Sequence, residues 1–527
     1  MHGDGAREVV DAMDPVACER ERVTGGEPGH AALALDAEIL ADHLAFDHVD
    51  PAAGAVVVVV AAVARLPPGV EPGLGAGSAP EQDGLARAFA VESVDVDQGG
   101  DARGQLCAAV GLEKADGADG DRIDLQLHGR MVARWAASVR EDALVSVVAR
   151  IEAWPVNVPL EATYLMAPGV YPGMSRTVVR VTTADGVVGL GETPSAADAA
   201  LLVGDLGETF VGSDTGMLRE ALGRHVGPAG GERVGAAVIT PNAAAGVEMA
   251  LWDIAGREAG LPLHALLGET VRTEITFTEY FAPRPGREET PAEIAAYCAR
   301  MVEEHRSPSF EGKVGVWAPE VELELVRLVR EAIGPDRPLR LDANMGWSLE
   351  TARTMLAALA AYDIASIEEP VATFAELASL RATTPIPFSS HTPDLESAAA
   401  LGVPDALVLG IGACGGIAGT LRFVERCAAA GVGFWFYSGD LGIGTAAQLH
   451  VTAVAPSLSA PSQSLLRWTA DDVTAEGPFS PERGLLRVPD GPGLGATLDE
   501  AALARCVERF AREGAYDLYT GPPLPRC

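Results

Sequence analysis

From about Thr273 onward, short apolar runs alternate with amphipathic helical stretches, and no other feature restricts the fold as much. The strand-like runs are Ile275 to Tyr280, Phe310 to Gly315, Leu339 to Asn344, Ser366 to Glu369, Ile386 to Ser390, Ala406 to Gly410 and Gly433 to Ser438. Between them lie helical patterns such as Pro319 to Ile333, Leu349 to Tyr362 and Gly416 to Ala430. Strands separated by helices pair in parallel, because a crossover is needed to return to the same end of the sheet. Seven or eight such units in about 190 residues suit an α/β chain closed as a (β/α)-barrel, with its chemistry at the carboxyl ends of the strands.

Those ends carry unusual residues. Lys313 ends the second run, Asp342 and Asn344 the third, and Glu368 and Glu369 the fourth. Ser389, Ser390 and His391 end the fifth, and Tyr437 ends the seventh. Carboxylates from adjacent strands aimed into one mouth repel unless a cation lies between them, and hard oxygen ligands favour Mg²⁺. A lysine beside such a cation and away from water loses its proton more easily. It can then act as a base on a carbon next to a carboxylate. The chain contains only two lysines, Lys114 and Lys313, so nearly all of its 39 basic residues are arginine. Arginine stays protonated and cannot serve as a base, whereas a buried lysine can.

Upstream, Arg150 to Val158 reads as a strand, followed by a Gly/Pro-rich loop from Met166 to Met174. Two further runs, Arg176 to Thr183 and Val187 to Gly191, flank the hairpin signal Ala184-Asp185-Gly186, and Ala243 to Ala259 reads as an apolar helix stopped by Gly260. This meander followed by helices marks a separate α+β unit over 147–272, ahead of a barrel over 273–470. Residues 1–146 carry Gly/Pro/Asp-rich breaks and no chemical motif. Helical patterns are expected there at Ala31 to Leu44 and Arg130 to Val148, with a buried strand at Ala55 to Ala64.

Composition removes several classes of function. A net charge of -35, from 74 acidic against 39 basic residues, opposes nucleic-acid binding, which needs a cationic face. The valine-rich run at Ala55 to Ala64 is about half the ~20 residues a membrane helix requires. The first residues are polar and acidic rather than basic then apolar, so a cytoplasmic protein is expected. The seven cysteines are scattered without a CxxC pair, which suggests neither a disulfide framework nor a zinc site.

Over about 148–512 the chain resembles the enolase superfamily, in particular its glucarate-dehydratase-like and mandelate-racemase-like branches. The phrases that carry the resemblance are Arg176-Thr177-Val178-Val179, Gly189-Leu190-Gly191-Glu192-Thr193 and Gly246-Val247-Glu248-Met249-Ala250-Leu251-Trp252-Asp253. Phe310-Glu311-Gly312-Lys313, Leu341-Asp342-Ala343-Asn344, Ile367-Glu368-Glu369-Pro370 and Gly415-Gly416 continue it through the barrel. The resemblance implies an N-terminal capping domain, a barrel, and a C-terminal segment (471–527) that returns to the cap. It also implies Asp342 and Glu368 as Mg²⁺ ligands, Lys313 as the proton-abstracting base and Asn344 as a substrate-side amide. The loop around Tyr171 is expected to close over a small carboxylate substrate, and the assembly to be a homo-oligomer.

The chain also departs from that pattern. The first lysine of the family's Lys-x-Lys is Glu311, which becomes a candidate substrate contact. The third metal ligand falls within Ser389-Ser390-His391, with Ser389 in the strand-end position. The family's catalytic His-Asp pair is replaced by Tyr437 and Gly410, which leaves Tyr437 and His391 as candidate acids. Three functions follow as alternatives: a Mg²⁺-dependent dehydratase of an acid sugar or related hydroxycarboxylate, an epimerase or cycloisomerase using the same base, and a barrel that has lost its activity. His450 is expected to be a satisfied core histidine, and Trp347 and Trp435 packing aromatics.

Overall fold

Seven parallel strands, paired in chain order, form the central sheet of the protein in a computed structural model. They are Glu279–Phe281, Phe310–Lys313, Leu339–Asp342, Ile364–Glu368, Phe388–Ser390, Ala406–Leu409 and Gly433–Phe436. The structure describes residues 146–516, apart from 204, 224–231, 235–236, 240–242 and 438, together with strand segments at 39–40, 56–65 and 85–94. Those three segments form an antiparallel sheet of their own. The strand expected at Ala55 to Ala64 is present as Val56–Arg65. Most of the two helices expected before residue 149 lies outside the described residues; Ile39–Leu40 and Val148, which are described, are strand rather than helix.

The first barrel strand departs from expectation. The apolar run from Ile275 to Tyr280 is divided between two sheets. Glu274–Thr276 pairs antiparallel with Leu485–Arg487, and only Glu279–Phe281 joins the parallel sheet. Both halves are β-rich, so periodicity alone does not reveal the change of partner. Between the seventh and first strands the sheet closes through Ser462 and Gln463. Gln463 N donates to Phe436 O (3.0 Å), Thr278 N donates to Ser462 O (2.8 Å), and Ser462 N donates to Thr276 O (3.0 Å). Two residues thus do the work of an eighth strand.

The helices follow their apolar periodicity. Pro319–Ile333 begins with proline in its first turn and buries Leu325, Val326, Val329 and Ile333 against the sheet. Leu349–Leu359 is capped by Ser348, whose hydroxyl accepts the Thr351 N–H. Among the described residues no helix is long and apolar enough to cross a membrane. The four cysteines described as free, Cys298, Cys414, Cys427 and Cys506, are all buried.

Upstream of the barrel, Val148–Met166, Gly169–Thr183 and Val188–Thr193 form an antiparallel meander that packs on the helix Ala243–Ala259. The segment expected as a loop, Met166 to Met174, is instead a hairpin. Both strands run to a two-residue turn at Ala167-Pro168, with Tyr164 paired to Tyr171 and Met166 to Gly169. Its glycines and prolines suggested a loop, but the side chains of Tyr164, Met166, Tyr171 and Met174 are buried, and that burial favours strand. Gly191 and Gly246 let sheet and helix touch: a Cβ on Gly191 would lie 1.9 Å from Gly246 O.

Buried carboxylates join this cap to the barrel. Glu248 accepts the N–H groups of Ile417 (2.8 Å) and Ala418 (3.1 Å), at the start of Ile417–Ala429, and the indole N–H of Trp252. Glu192 does the same for Leu441 and Gly444 (both 2.8 Å), where Gly442–Val454 begins. The first N–H groups of a helix have no partner within it and carry its positive end, so a carboxylate there satisfies both needs. Gly416 is left-handed (φ 95°), and a Cβ there would come within 2.5 Å of the Glu248 carboxylate. The chain end also returns to the cap: Asn157 donates to Gly514 O (2.7 Å) and Arg509 to Asn157 O (2.7 Å).

His450 is fully buried, with Nε2 donating to Leu494 O (3.1 Å) and Nδ1 accepting the His264 N–H (3.2 Å). Burial holds its imidazole down at about 4. The unfolded chain therefore binds this proton more readily than the native one. Stability contributed by neutral His450 is full above its ordinary value of 6.5 and is lost as pH falls toward 4. Chemical denaturation across that window should show a loss approaching about 3 kcal/mol from this residue. A His450→Gln variant should flatten the curve.

Candidate active site

Four polar residues lie level with one another across four adjacent strands. Lys313 pairs with Asp342, Asp342 with Glu368, and Glu368 with Ser389 in the parallel ladder. Paired residues face the same side of a sheet, so all four point into the barrel. Two residues earlier, Glu311, Arg340 and Ser366 form a second row beneath them. Side-chain contacts agree: Lys313 Nζ forms a short ion pair with Asp342 Oδ2, and Arg340 Nη1 lies 3.4 Å from Glu311 Oε2.

Charge inside a barrel must be balanced locally, and the lower row shows how. Glu311 is held at both oxygens, by Arg340 at Oε2 and by the amide of Gln463 at Oε1 (2.5 Å). Burial pushes its carboxyl up to about 7, with Glu368 and Asp342 adding to the rise and Arg340 opposing it. This places the expected substrate contact beneath the upper row, engaged within the protein. The Arg340 guanidinium also lies 4.1 Å over the Trp435 ring. Trp435 therefore packs as expected, and Trp347 is likewise buried, donating to Glu322 (3.1 Å).

In the upper row, burial pulls the Lys313 ammonium down, but Asp342, Tyr280, Tyr164 and Glu368 together outweigh it and hold the ammonium well above its ordinary value. Burial pushes Asp342 up, and Lys313 and His391 together bring it below the usual carboxylate range. Glu368 is raised by burial. Its Oε2 accepts from the Gln463 amide (2.8 Å), and its Oε1 lies 2.7 Å from His391 Nε2.

Asp342, Glu368 and His391 each offer a donor atom within 4.8 Å of the others. Of the three candidates for a third ligand, the geometry brings His391 into this group. Ser390 is turned to Glu369, donating to its carboxylate (3.0 Å) and accepting from Thr392 N (3.0 Å). Ser389 reaches only the far oxygen of Glu368 (3.5 Å). Asn344, in the left-handed region (φ 44°), donates Nδ2 to Asp342 Oδ2 (3.0 Å). Its buried Oδ1 has no hydrogen-bond partner.

The cap hairpin roofs this mouth. Leu165 N donates to Pro283 O (2.8 Å), and Ala167 at the tip packs on Gly315 and Gly346, just beyond Lys313 and Asn344. Tyr164 stacks edge-on against both Tyr171 and Tyr280, whose ring centroid is 5.7 Å from Lys313 Nζ. Tyr171 bonds to the Arg176 guanidinium. Arg176 lies against Gly439, beside Tyr437, and 4.0 Å from Glu192. Tyr437 is half-buried, and its ring centroid is 6.1 Å from that of His391. Both candidate acids therefore share the mouth. Gly410, at the end of the sixth strand, lies against the Tyr437 ring, where a Cβ would come within 2.2 Å of it.

Several residues of the site were not anticipated, among them Arg340, Tyr164, Tyr280, Gln463 and Asp440. Gln463 lies in a Ser/Pro-rich stretch without strand periodicity, and only the closure of the sheet places its amide between Glu311 and Glu368. Asp440, three residues beyond Tyr437, joins the Arg176 cluster. Its carboxyl is raised by burial and drawn back by Arg176, and its charge helps push Glu192, also buried, up to about 8. Its one sequence signal is its place just past a strand end, ahead of the helix Gly442–Val454.

Comparison with known proteins places this site in context. Residues 145–268 match the family described as the mandelate racemase / muconate lactonizing enzyme N-terminal domain, and residues 293–502 match the enolase C-terminal domain-like family. A probable glucarate dehydratase from Streptomyces coelicolor is 32% identical over 374 residues, covering 64% of this chain and 86% of that protein. A chloromuconate cycloisomerase from Pseudomonas putida is 28% identical, covering 68% of this chain and 97% of its own. The crystal structure of an enolase from Thermobispora bispora, complexed with magnesium and formate, is similar with a TM-score of 0.63 and 28% identity, covering 70% of this chain and 94% of that one.

Replacing Gln463 with leucine should leave two buried carboxylates without their shared donor, at a cost of about 1–3 kcal/mol in denaturant unfolding. A Gln463→Glu variant should cost more, since it adds a third carboxyl to the cluster.

Proposed function

The chain belongs to the enolase superfamily, and from that premise we propose that it is a divalent-metal-dependent lyase that dehydrates an acid sugar or a related hydroxycarboxylate. The observation that carries this reading is Lys313 at the end of the second strand, level with Asp342 and Glu368 on the next two. The residues present fit a dication: three donor atoms converge, and the buried Asn344 Oδ1 beside them lacks a partner. A cation held by Asp342 and Glu368 would offset negative charge developing on a substrate carboxylate and draw off the charge that keeps Lys313 protonated.

Lys313 removes the proton from the carbon next to the substrate carboxylate. The C–O bond at the neighbouring carbon then breaks, and the hydroxyl leaves as water with a proton from Tyr437, yielding an enol that becomes a keto acid. Asn344 Oδ1 accepts from a substrate hydroxyl, and Tyr164, Tyr171 and the cap hairpin exclude water from above. His391, bonded to Val408 O (2.7 Å) and facing Glu368, is better placed to hold the metal than to give up a proton.

The likeness to a chloromuconate cycloisomerase supports a second reading, in which the same proton abstraction leads to cycloisomerisation. Two-base epimerisation has less support, because Gly410 offers no second base at the sixth strand end.

Solvent deuterium exchange by NMR, with a divalent metal and a panel of acid sugars, separates these readings. Wild type should exchange the α-proton of at least one acid and release a deoxy-keto acid. Lys313→Met should lose about 10²-fold or more of that exchange. Exchange that persists in Lys313→Met removes Lys313 as the base. A rearranged product of unchanged mass points to the second reading, and no exchange with any acid tested counts against both.

A further inference from the structure

The third donor at this site is a nitrogen. Val408 O can only accept, so His391 Nδ1 carries the proton of that 2.7 Å bond, which leaves Nε2 as the ring atom turned toward Asp342 and Glu368. A backbone carbonyl that fixes one ring nitrogen while the other faces a cation is the usual support for a ligating histidine. The two serines that could have completed an all-oxygen set are turned elsewhere, Ser390 to Glu369 and Ser389 to the far oxygen of Glu368.

Donor identity decides which dication such a site prefers. Mg²⁺ is small and hard, takes oxygen ligands and gains little from an imidazole. First-row transition dications bind imidazole nitrogen well, with affinity rising from manganese toward copper. We propose that His391 Nε2 is the third ligand of the site, and that Asp342, Glu368 and His391 together select a divalent first-row transition metal over Mg²⁺. This rests on the reading of the barrel mouth as a dication site but does not depend on which substrate is used. Nearby, Glu369 accepts from the Ser390 hydroxyl and from the His391 N–H (both 3.0 Å), and Lys313 pairs with Asp342.

The test uses the full-length protein freed of metal with a chelator. Calorimetric titration with Co²⁺ and with Mg²⁺ gives an affinity ratio for wild type and for His391→Asp, which restores an all-oxygen set. The ratio should move toward Mg²⁺ by about tenfold or more in the variant. In parallel, pulsed electron paramagnetic resonance of the Mn²⁺-loaded wild type should show coupling to an imidazole ¹⁴N, and that coupling should vanish in His391→Asp. The wild-type spectrum stands alone if the variant fails to fold. Mn²⁺ bound without nitrogen coupling, or a Co²⁺/Mg²⁺ ratio unchanged by the substitution, overturns the proposal while leaving the dication site intact. Failure of all three cations to bind overturns the dication reading itself.

Discussion

Two carboxylates on adjacent parallel strands, level with each other inside a barrel, cannot both keep their charge without partners. Much of the arrangement around Asp342 and Glu368 answers that constraint. Lys313 takes one side of Asp342, His391 one side of Glu368, and the Gln463 amide the other. Below them, Arg340 neutralises Glu311 and is itself steadied on the Trp435 ring. The interior is thus a charge lattice built on β-ladder register, and removing one member exposes another to an uncompensated burial cost.

The cap meets the barrel by the same physics with different groups. Glu192 and Glu248 are spent on the open ends of helices. This accounts for two of the phrases that first linked the chain to its superfamily: the acids in Gly-Leu-Gly-Glu-Thr and Gly-Val-Glu-Met-Ala-Leu-Trp-Asp are docking groups. Glu192 also lies next to Asp440 and Arg176, so the docking surface runs without a break into the mouth. A substitution chosen to alter the cap should therefore be expected to reach the chemistry.

Much of the fold was legible because strand ends and helix stripes are written locally. Lys313, Asp342 and Glu368 could be picked out for that reason, and the helices Ala243–Ala259 and Pro319–Ile333 fall where their periodicity placed them. What escaped depended on distant pairing. The run from Ile275 to Tyr280 looks like one strand, and only the partner Leu485–Arg487 divides it. Gln463 is silent in a coil until Phe436 and Thr276 close around its segment. The cap hairpin was obscured by prolines and glycines that signal a loop unless the flanking residues are buried. The third ligand position stayed open because Ser389 has the better register while His391 has the longer reach.

The return of the chain end to the cap sets a schedule for synthesis. Asn157 and Gly514 are 357 residues apart, and the long strand Val148–Met166 meets the helix Glu500–Glu513 only after the residues between them have been made. At ribosomal rates of ~5–20 residues per second, that strand waits on the order of 20 to 70 s for its last partner. During this interval its apolar side chains are available to other nascent chains and to chaperones. A stop codon ahead of Glu500 would leave the barrel mouth largely written and the cap without the helix that straps it. Such a product is better judged by its aggregation than by its activity.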